Sequence, residues 1–199
     1  MAITNGYCTL AEVKAACRIT DNTDDVLLEN VIEGASRRID GHCGRFFYQV
    51  ATTALQFYTN NLYGCPLPDV ASSTVTVKTD DDGDGTFETT WTSAMYRLEP
   101  LNTVLQSRPY TRIVTTGIRT FPIFDFPARP TLQITATWGW SAIPDDIREA
   151  AILMSMRMFS RYNAPLGVAG FGDMGAITVR AIDPDIRDLL SPYVIIGMA

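Results

Sequence analysis

The most informative segment of the chain is residues 143–162, IPDDIREAAILMSMRMFSRY. Pro144, Asp145 and Asp146 predict a helix start, because proline suits the first helical position and acidic side chains stabilise the positive end of the helix dipole. Beyond them, apolar residues recur at helical spacing on two faces. One face carries Ile147, Ala150, Ala151, Met154 and Met158, and the other carries Ile152, Met156 and Phe159. A helix that is apolar nearly all round is covered on several sides, so we expect a neighbouring subunit or the inserted sheet against it.

Two further helices are predicted at the start of the chain. Thr9 and Glu12 form the capping-box pattern, in which each side chain satisfies a free backbone donor, and a short helix to about Arg18 follows. A second helix begins near Asp24–Asp25, where negative charge meets the positive end of the helix dipole. Its apolar face consists of residues at helical spacing, namely Leu28, Ile32, Ala35, Ile39 and Cys43. Gly44 supplies the left-handed residue that ends it.

The middle of the chain predicts strands. Of the 23 threonines, 18 lie between residues 50 and 140, and threonine favours strands. Alternating runs at 55–58, 75–78 and 132–138 predict three of them. Turn clusters at 60–61, 65–69, 80–85 and 126–130 separate the strands. We therefore expect a small antiparallel sheet or barrel inserted between helical segments.

The end of the chain predicts a loop, a helix and a tail. The loop runs from Asn163 to Asp183 and contains Gly167, Gly170, Gly172 and Gly175. Glycine raises the entropic cost of ordering a loop, so we expect a partner to shape it. Asp183 then caps a short helix that has Pro184 at its first position, and the apolar tail 192–196 follows. The predicted class is α+β: a helical core from residues 1–49 and 141–199, with a β-rich subdomain at 50–140.

Composition excludes several classes of function. The chain has 199 residues, a net charge of −6 and a single histidine, His42. Proteins that bind nucleic acid tightly carry a surplus of basic residues, so the net negative charge argues against that function. Most acid/base or metal chemistry near neutral pH uses histidine, so an enzyme here would have to use carboxylates, cysteine or a cofactor. Residues 1–13 show no basic segment followed by an apolar run, so we expect no secretory signal, and no apolar run is long enough to span a bilayer. The widely spaced cysteines predict reduced thiols.

An acidic motif at residues 80–88 predicts either a calcium loop or a hairpin tip. Asp80, Asp82 and Asp84 alternate and Gly85 follows them, as at the start of a calcium-binding loop. The twelfth position, where such a loop places its closing acid, is Trp91. Because strands rather than helices flank the motif, an acidic hairpin tip is the simpler interpretation. A calcium-stabilised β module that binds a ligand remains the alternative function.

Three other patterns suggest chemistry but have simpler explanations. His42 and Cys43 resemble a thiol centre, yet adjacent helical residues point about 100° apart. Asp145–Asp146 and Asp183–Asp185 sit where helix capping explains them. Residues 170–175 have glycines spaced as in a phosphate loop, without the adjoining strand and helix that such a loop needs. An enzyme with a carboxylate or cysteine centre is therefore a weak hypothesis, and we expect no catalysis and no cofactor.

The order of these elements resembles the head-tail connector, or adaptor, proteins of long-tailed bacteriophages. The resemblance lies in the opening helix pair and in the later half of the chain. The residues that carry it are 9–14, 24–28, 39–40, 44–47, 138–140, 143–147 and 161–162. The resemblance implies a structural virion protein of the neck, assembled in the host cytoplasm. It further implies that such a protein forms a ring of about twelve copies beneath the portal, supports the stopper and tail, and surrounds passing double-stranded DNA.

The resemblance also implies roles for particular residues. The segment expected to dock on the portal comprises Asp183, Pro184, Ile186, Leu189, Leu190, Tyr193, Val194 and Ile195. The residues expected to pack within the ring are Ile147, Ala151, Met154, Arg157, Met158 and Arg161. A stopper or tail-completion protein is the alternative within the same class of phage proteins. The expected partners are other copies of the chain, the portal and a tail-proximal neck protein, with no membrane.

Overall fold

The computed structural model describes residues 3–124, 129–163 and 183–195. The chain divides into two compact units, one formed by Met1–Phe47 and Ile143–Ala199 and the other by Tyr48–Ala142. In chain order the helices are α1 (Leu10–Cys17), α2 (Asp25–Cys43), α3 (Thr103–Gln106), α4 (Asp145–Asn163) and α5 (Pro184–Leu190), and a 3-10 turn follows at Ser191–Tyr193. None of the helices in these described ranges is both long and apolar enough to cross a membrane.

The helical unit forms where the sequence predicts it. The capping box at α1 is confirmed, because the Thr9 side chain accepts from the backbone N–H of Glu12 and the Glu12 carboxylate accepts from that of Thr9. Gly44 ends α2 in the left-handed region with φ of 68°. Helix α4 packs on α1, α2 and α5. The buried face of α2 consists mainly of apolar residues, namely Leu28, Val31, Ile32, Ala35, Ser36, Ile39 and Cys43.

The inserted unit is an antiparallel sheet. Its strands are β1 (Gln49–Phe57), β2 (Gly64–Val70), β3 (Thr76–Thr79), β4 (Thr89–Trp91), β5 (Tyr96–Glu99), β6 (Tyr110–Thr115) and β7 (Leu132–Gly139). The strand order is β4-β3-β7-β2-β6-β5, and β1 pairs with β7 from the other side. The three strands predicted from alternation are therefore present. The architecture is α+β, as predicted.

The core of the sheet unit lies on one face of β7 and its neighbours. Leu132, Ile134, Ala136 and Trp138 alternate along β7 and are all buried. Val77 on β3 stands opposite Ile134 and also opposite Trp91 on β4, so the buried face continues across three strands. The Trp91 ring stacks on Phe121 at 5.0 Å between centroids. The intervening residues Gln133, Thr135 and Thr137 are only half-buried, as period-two alternation requires.

The predicted turn at 65–69 is wrong, because β2 runs through it. Two prolines in five residues favour a turn, since proline cannot donate to a ladder. Here the register of β2 against β6 shifts between Pro66 and Val70, so the strand tolerates the missing donors at an irregularity. The two prolines are exposed, while Cys65 and Leu67 point into the core. Buried and exposed residues alternate from Cys65 to Asp69, as in a strand, but the two prolines favour a turn more strongly in the sequence.

Candidate functional site

The predicted portal-docking segment folds back onto the helical unit. Helix α5 begins at Pro184, with Asp183 as its N-cap residue, and Asp183 forms an ion pair with Arg157 of α4. Ile186 and Leu190 are 2% and 0% exposed, so one face of α5 belongs to the core of this unit. Leu189 is half-buried on another face. Helix α5 therefore has a structural role in the single chain.

The residues after α5 are also anchored. The backbone N–H of Ile195 donates to the carbonyl of Cys43 at 2.9 Å, at the end of α2. The Tyr193 hydroxyl donates to the Asp146 carboxylate at 3.0 Å. The Tyr193 ring meets the Phe47 ring edge-on, at 5.6 Å between centroids. The tail thus bridges α2 and the start of α4 while Ile195 keeps 45% of its surface exposed.

These contacts divide the predicted docking residues into two groups. Ile186 and Leu190 are buried in the core of their own unit, so a direct contact of these two side chains with a portal would require that core to open. The other predicted residues are at least partly accessible to solvent, namely Asp183, Pro184, Leu189, Tyr193, Val194 and Ile195. An outward-facing set remains available for docking.

The predicted ring-packing residues on α4 divide in the same way. Ile147, Ala151 and Met154 are 0–3% exposed, so these three side chains already pack within the single chain. Arg157 and Met158 are half-buried, and Arg161 is exposed. The second apolar face of α4 is accessible in part, since Ile152, Met156 and Phe159 are half-buried. The glycines of the predicted partner-ordered loop, Gly167, Gly170, Gly172 and Gly175, lie outside the described residues.

The acidic motif brings four carboxylates together. Oxygens of Asp80, Asp82, Asp84 and Glu88 all lie within 4.8 Å of one another. Asp80 is buried, and its two oxygens accept from the backbone N–H groups of Gly83 at 2.7 Å and Gly85 at 2.8 Å. Carboxylate oxygens are the ligands that Ca²⁺ prefers, so the donor set fits that ion. The hydrogen bonds of Asp80 also fold the loop without any ion.

Basic side chains already approach this loop. Arg129 donates to the carbonyl of Gly83 at 3.0 Å, and Arg119 forms an ion pair with Asp81. Burial opposes ionisation of Asp81, but hydrogen bonds from Thr89 and Thr79 and the charge of Arg119 outweigh it and lower the pKa of its carboxyl. Part of the negative charge is therefore balanced by this chain's own residues. The twelfth position, Trp91, is buried in the core and supplies no carboxylate.

The His42–Cys43 pair does not have the surroundings of a reactive thiol. Cys43 is fully buried at the end of α2, and burial raises the pKa of its thiol to about 11. A nucleophilic cysteine needs a lowered pKa and access to substrate. All four cysteines are free, and Cys8, Cys43 and Cys65 are buried. These thiols behave as small apolar core residues.

A buried polar network near the chain start was not predicted from the sequence. The Tyr7 hydroxyl donates to the Asp40 carboxylate and accepts from the backbone N–H of Phe47 at 2.8 Å. Burial, followed by the Asp40 hydrogen bond, raises the pKa of Tyr7, and burial raises the pKa of Asp40. Arg37 contacts Asp40 at 3.3 Å. The network holds the N-terminal segment against the last turn of α2, through Asp40, and against Phe47, which lies between α2 and β1.

A groove of about 510 Å³ opens beside this segment in the helical unit. Its apolar lining comes from Ile3, Leu10 and Ile143. Glu12 and Arg148 stand at its polar end, 3.7 Å apart. The pKa of Glu12 is lowered by its hydrogen bonds from Thr9, with a smaller contribution from Arg148. The groove is a surface feature without a converging set of catalytic groups.

An α+β protein whose accessible features are an apolar helix face, an anchored tail and an acidic loop has the surfaces of an assembly component. Residues 7–65 match the sequence model of the family described as "Phage gp6-like head-tail connector protein". That range contains α1, α2 and β1, so it includes the helix pair on which the predicted resemblance rests. The resemblance to head-tail connector proteins that the sequence predicts is confirmed by this match. No curated protein matches the chain at a significant level.

Solved structures share the whole fold. One is described as "Neck of empty GTA particle computed with C6 symmetry", with a TM-score of 0.56 and 20% identity over 100% of this chain and 95% of that chain. A second is "Virion of native gene transfer agent (GTA) particle", with a TM-score of 0.54, 21% identity and coverage of 100% and 95%. A third is "Neck of native GTA particle computed with C12 symmetry", with a TM-score of 0.51, 21% identity and coverage of 100% and 94%. The likeness extends across both units.

Proposed function

We propose that this chain is a structural protein of a virion neck, a head-to-tail adaptor that docks beneath the portal and supports the stopper and tail. The observation that carries the proposal is the connector-family match over residues 7–65, which covers the helix pair α1–α2. The fold likeness to chains from gene transfer agent necks supports it over the full length. The role needs no catalytic group, and a buried thiol at Cys43 agrees with that.

The adaptor forms a ring around the DNA path. Two of the similar structures are necks computed with C6 and C12 symmetry, which supports a cyclic arrangement of copies. In a ring each subunit presents two different surfaces to its neighbours. On α4 the half-buried apolar stripe of Ile152, Met156 and Phe159 is suited to such a contact. The buried residues Ile147 and Met154 instead hold α4 in place.

Portal docking is assigned to the outward residues of the C-terminal segment. Leu189, Val194 and Ile195 expose part of their apolar surface, and so does Tyr193, which precedes Val194 in the chain. Apolar side chains grouped near the end of a unit favour contact with another protein. Ile186 and Leu190 anchor α5 to the core of the helical unit and do not take part in the contact. Docking through these outward residues leaves the core of the helical unit intact.

The decisive experiment is electron microscopy of particles made without the chain. We expect DNA-filled heads and free tails, because the platform between them is missing. Complementation with the wild-type chain restores joined particles. Joined, infectious particles in the absence of the chain contradict the proposal. A ring found on the tail side of another neck protein assigns the chain to a stopper or tail-completion role instead.

The docking edge is tested by substitutions that spare the core. Removing residues 183–199 also deletes the buried residues Ile186 and Leu190, so we expect it to destabilise the helical unit and not to report on docking alone. Leu189→Glu and Val194→Glu place charge on the outward surface, and we expect loss of portal attachment with an unchanged thermal midpoint. Arg187→Glu, exposed on the same helix, is the matched control and should attach normally. Equal attachment by all three variants contradicts this part of the proposal.

Calcium binding by the acidic loop is a second candidate function. The observation that favours it is the convergence of Asp80, Asp82, Asp84 and Glu88 within 4.8 Å. An ion that binds only the folded state stabilises it by RT ln(1 + [Ca²⁺]/Kd), so the thermal midpoint of the purified chain should rise with Ca²⁺ and fall again with chelator. Asp82→Asn and Asp84→Asn should remove that response without altering the midpoint in chelator. A midpoint indifferent to Ca²⁺ rejects this candidate.

A further inference from the structure

Strand β1 presents an open edge. Its nine residues, Gln49–Phe57, pair with β7, and no other strand of the described ranges pairs with it. Residues 51–54 and Gln56 are exposed. The strand contains neither a charged residue nor proline. The Thr53 carbonyl accepts from the indole N–H of Trp138 at 2.9 Å, and the backbone groups of alternate residues that point away from β7 have no strand partner within the described ranges.

The other edges of the sheet are protected in ways that β1 is not. Strand β4 has only three residues, and β5 has four with an ion pair between Arg97 and Glu99 at 3.2 Å. Short edges and edge charges are the usual means by which proteins prevent unwanted strand pairing. On β1 the single irregularity lies between Val50 and Thr53, and the ladder from Thr53 to Phe57 is regular. The open edge is therefore at least five residues long.

Exposed apolar side chains continue from the end of β1. Tyr58 follows the strand directly and is 66% exposed, and Tyr63 is 59% exposed. The backbone carbonyls of Leu62 and Tyr63 accept from Phe121 and Thr115, both at 2.9 Å, so this loop is held in place. Tyr58, which adjoins Phe57 in the chain, therefore adds exposed apolar surface at the end of the edge. Edge and surface together offer main-chain hydrogen bonds and apolar burial, the two components of strand addition.

We propose that the open edge of β1 pairs with an extended strand of a second copy of this chain, so that the inserted sheets are joined around the ring. The inference rests on the proposed neck function, because a ring flanks every subunit with copies of itself at a high effective concentration. An uncharged edge needs no complementary charge on its neighbour. The contact is heterologous: pairing of β1 with β1 is two-fold and stops at a dimer, so the neighbour contributes another segment.

The test compares two lysine substitutions that flank the same residue. Ala54 on β1 and Thr76 on β3 both stand opposite Thr135 of β7, and both side chains are exposed. Ala54→Lys places charge on the open edge, whereas Thr76→Lys places it on a strand that lies between β4 and β7. We expect Ala54→Lys to lose oligomers at protein concentrations where the wild type is half assembled, measured by mass photometry of the full chain. Thr76→Lys should assemble like the wild type.

Hydrogen exchange locates the contact. Amides within residues 53–57 should exchange more slowly in the assembled ring than in the free chain, while those of β3 should not change. Equal assembly of the two lysine variants, or unchanged exchange at 53–57 in necks, overturns the inference and leaves the neck function standing. A failure of the proposed neck function gives a different result: particles made without the chain would then still join heads to tails. The two proposals therefore fail separately.

Discussion

Replacing Tyr7 by phenylalanine removes one hydroxyl from the core of the helical unit. Tyr7 is 1% exposed, and its ring remains able to keep its edge-on contact with Phe47 at 5.7 Å. The hydroxyl donates to the Asp40 carboxylate and accepts from the backbone N–H of Phe47. Tyr7→Phe therefore removes two hydrogen bonds and very little packing. The change isolates the polar network from the surrounding apolar core.

The magnitude follows from the charge and burial of these partners. A hydrogen bond to a charged group contributes about 1.5–3 kcal/mol, and a buried backbone group that loses its partner costs about 1–3 kcal/mol. Because the two bonds share one hydroxyl, they do not add fully, and we expect a loss of about 2–4 kcal/mol in the free energy of unfolding. For a chain of this length the thermal midpoint should fall by about 5–12 °C. Calorimetry with urea titration measures both quantities.

The loss should depend on pH with a defined sign. The Tyr7 hydrogen bond stabilises the ionised form of Asp40 and lowers its pKa, although burial keeps that pKa above the usual value. The stabilising effect is present while Asp40 is ionised and is lost as the pH falls through its raised pKa. Tyr193→Phe, whose exposed hydroxyl bonds Asp146, is the matched control and should cost no more than about 1 kcal/mol. A Tyr7→Phe variant as stable as this control, or a loss independent of pH, refutes the reasoning.

Three further changes test other parts of the fold. Thr9→Ala removes the cap that accepts from Glu12 and should cost about 1 kcal/mol, measured by urea unfolding, and no loss would contradict the capping box. Trp140→Phe removes the 2.9 Å hydrogen bond from the indole to the buried Asp69 carboxylate and should cost about 2–4 kcal/mol, with a normal midpoint as the contrary result. Asp81→Asn should abolish a stabilising effect that is present above the usual carboxyl pKa and lost as the pH falls through the lowered one, so identical acid unfolding curves would oppose it.

Local signals made the helical unit predictable. The capping box of Thr9 and Glu12, the left-handed stop at Gly44 and the proline start at Pro184 each act within a few residues, and all three are present. The period of apolar residues in α2 and α4 likewise needs no knowledge of distant contacts. Periodicity alone cannot decide whether an apolar helix face packs within its own chain or against another subunit. The sequence therefore predicted a subunit contact for Ile147 and Met154, whereas both are buried within the single chain.

Features that depend on distant residues were missed for a physical reason. Tyr7 and Asp40 are 33 positions apart, and nothing in either local sequence indicates that they meet. Strand β2 was hidden because Pro66 and Pro68 carry a strong turn signal, and only the register shift against β6 accommodates them. The open edge of β1 was equally invisible, since an edge is defined by which strands are absent from one side. Its uncharged composition was readable, but its place in the sheet was not.

The net charge of −6 acquires a use only in the assembled role. In a single chain it merely disfavours binding to nucleic acid, because that binding gains free energy when basic side chains displace counterions from the phosphates. In a ring the charge is repeated by every copy around one axis, and a wall of like charge keeps a passing duplex from adhering. Copies that all carry this net negative charge repel one another at long range. The uncharged edge of β1 and the apolar stripe of α4 are contacts that can form between such copies without adding to that repulsion.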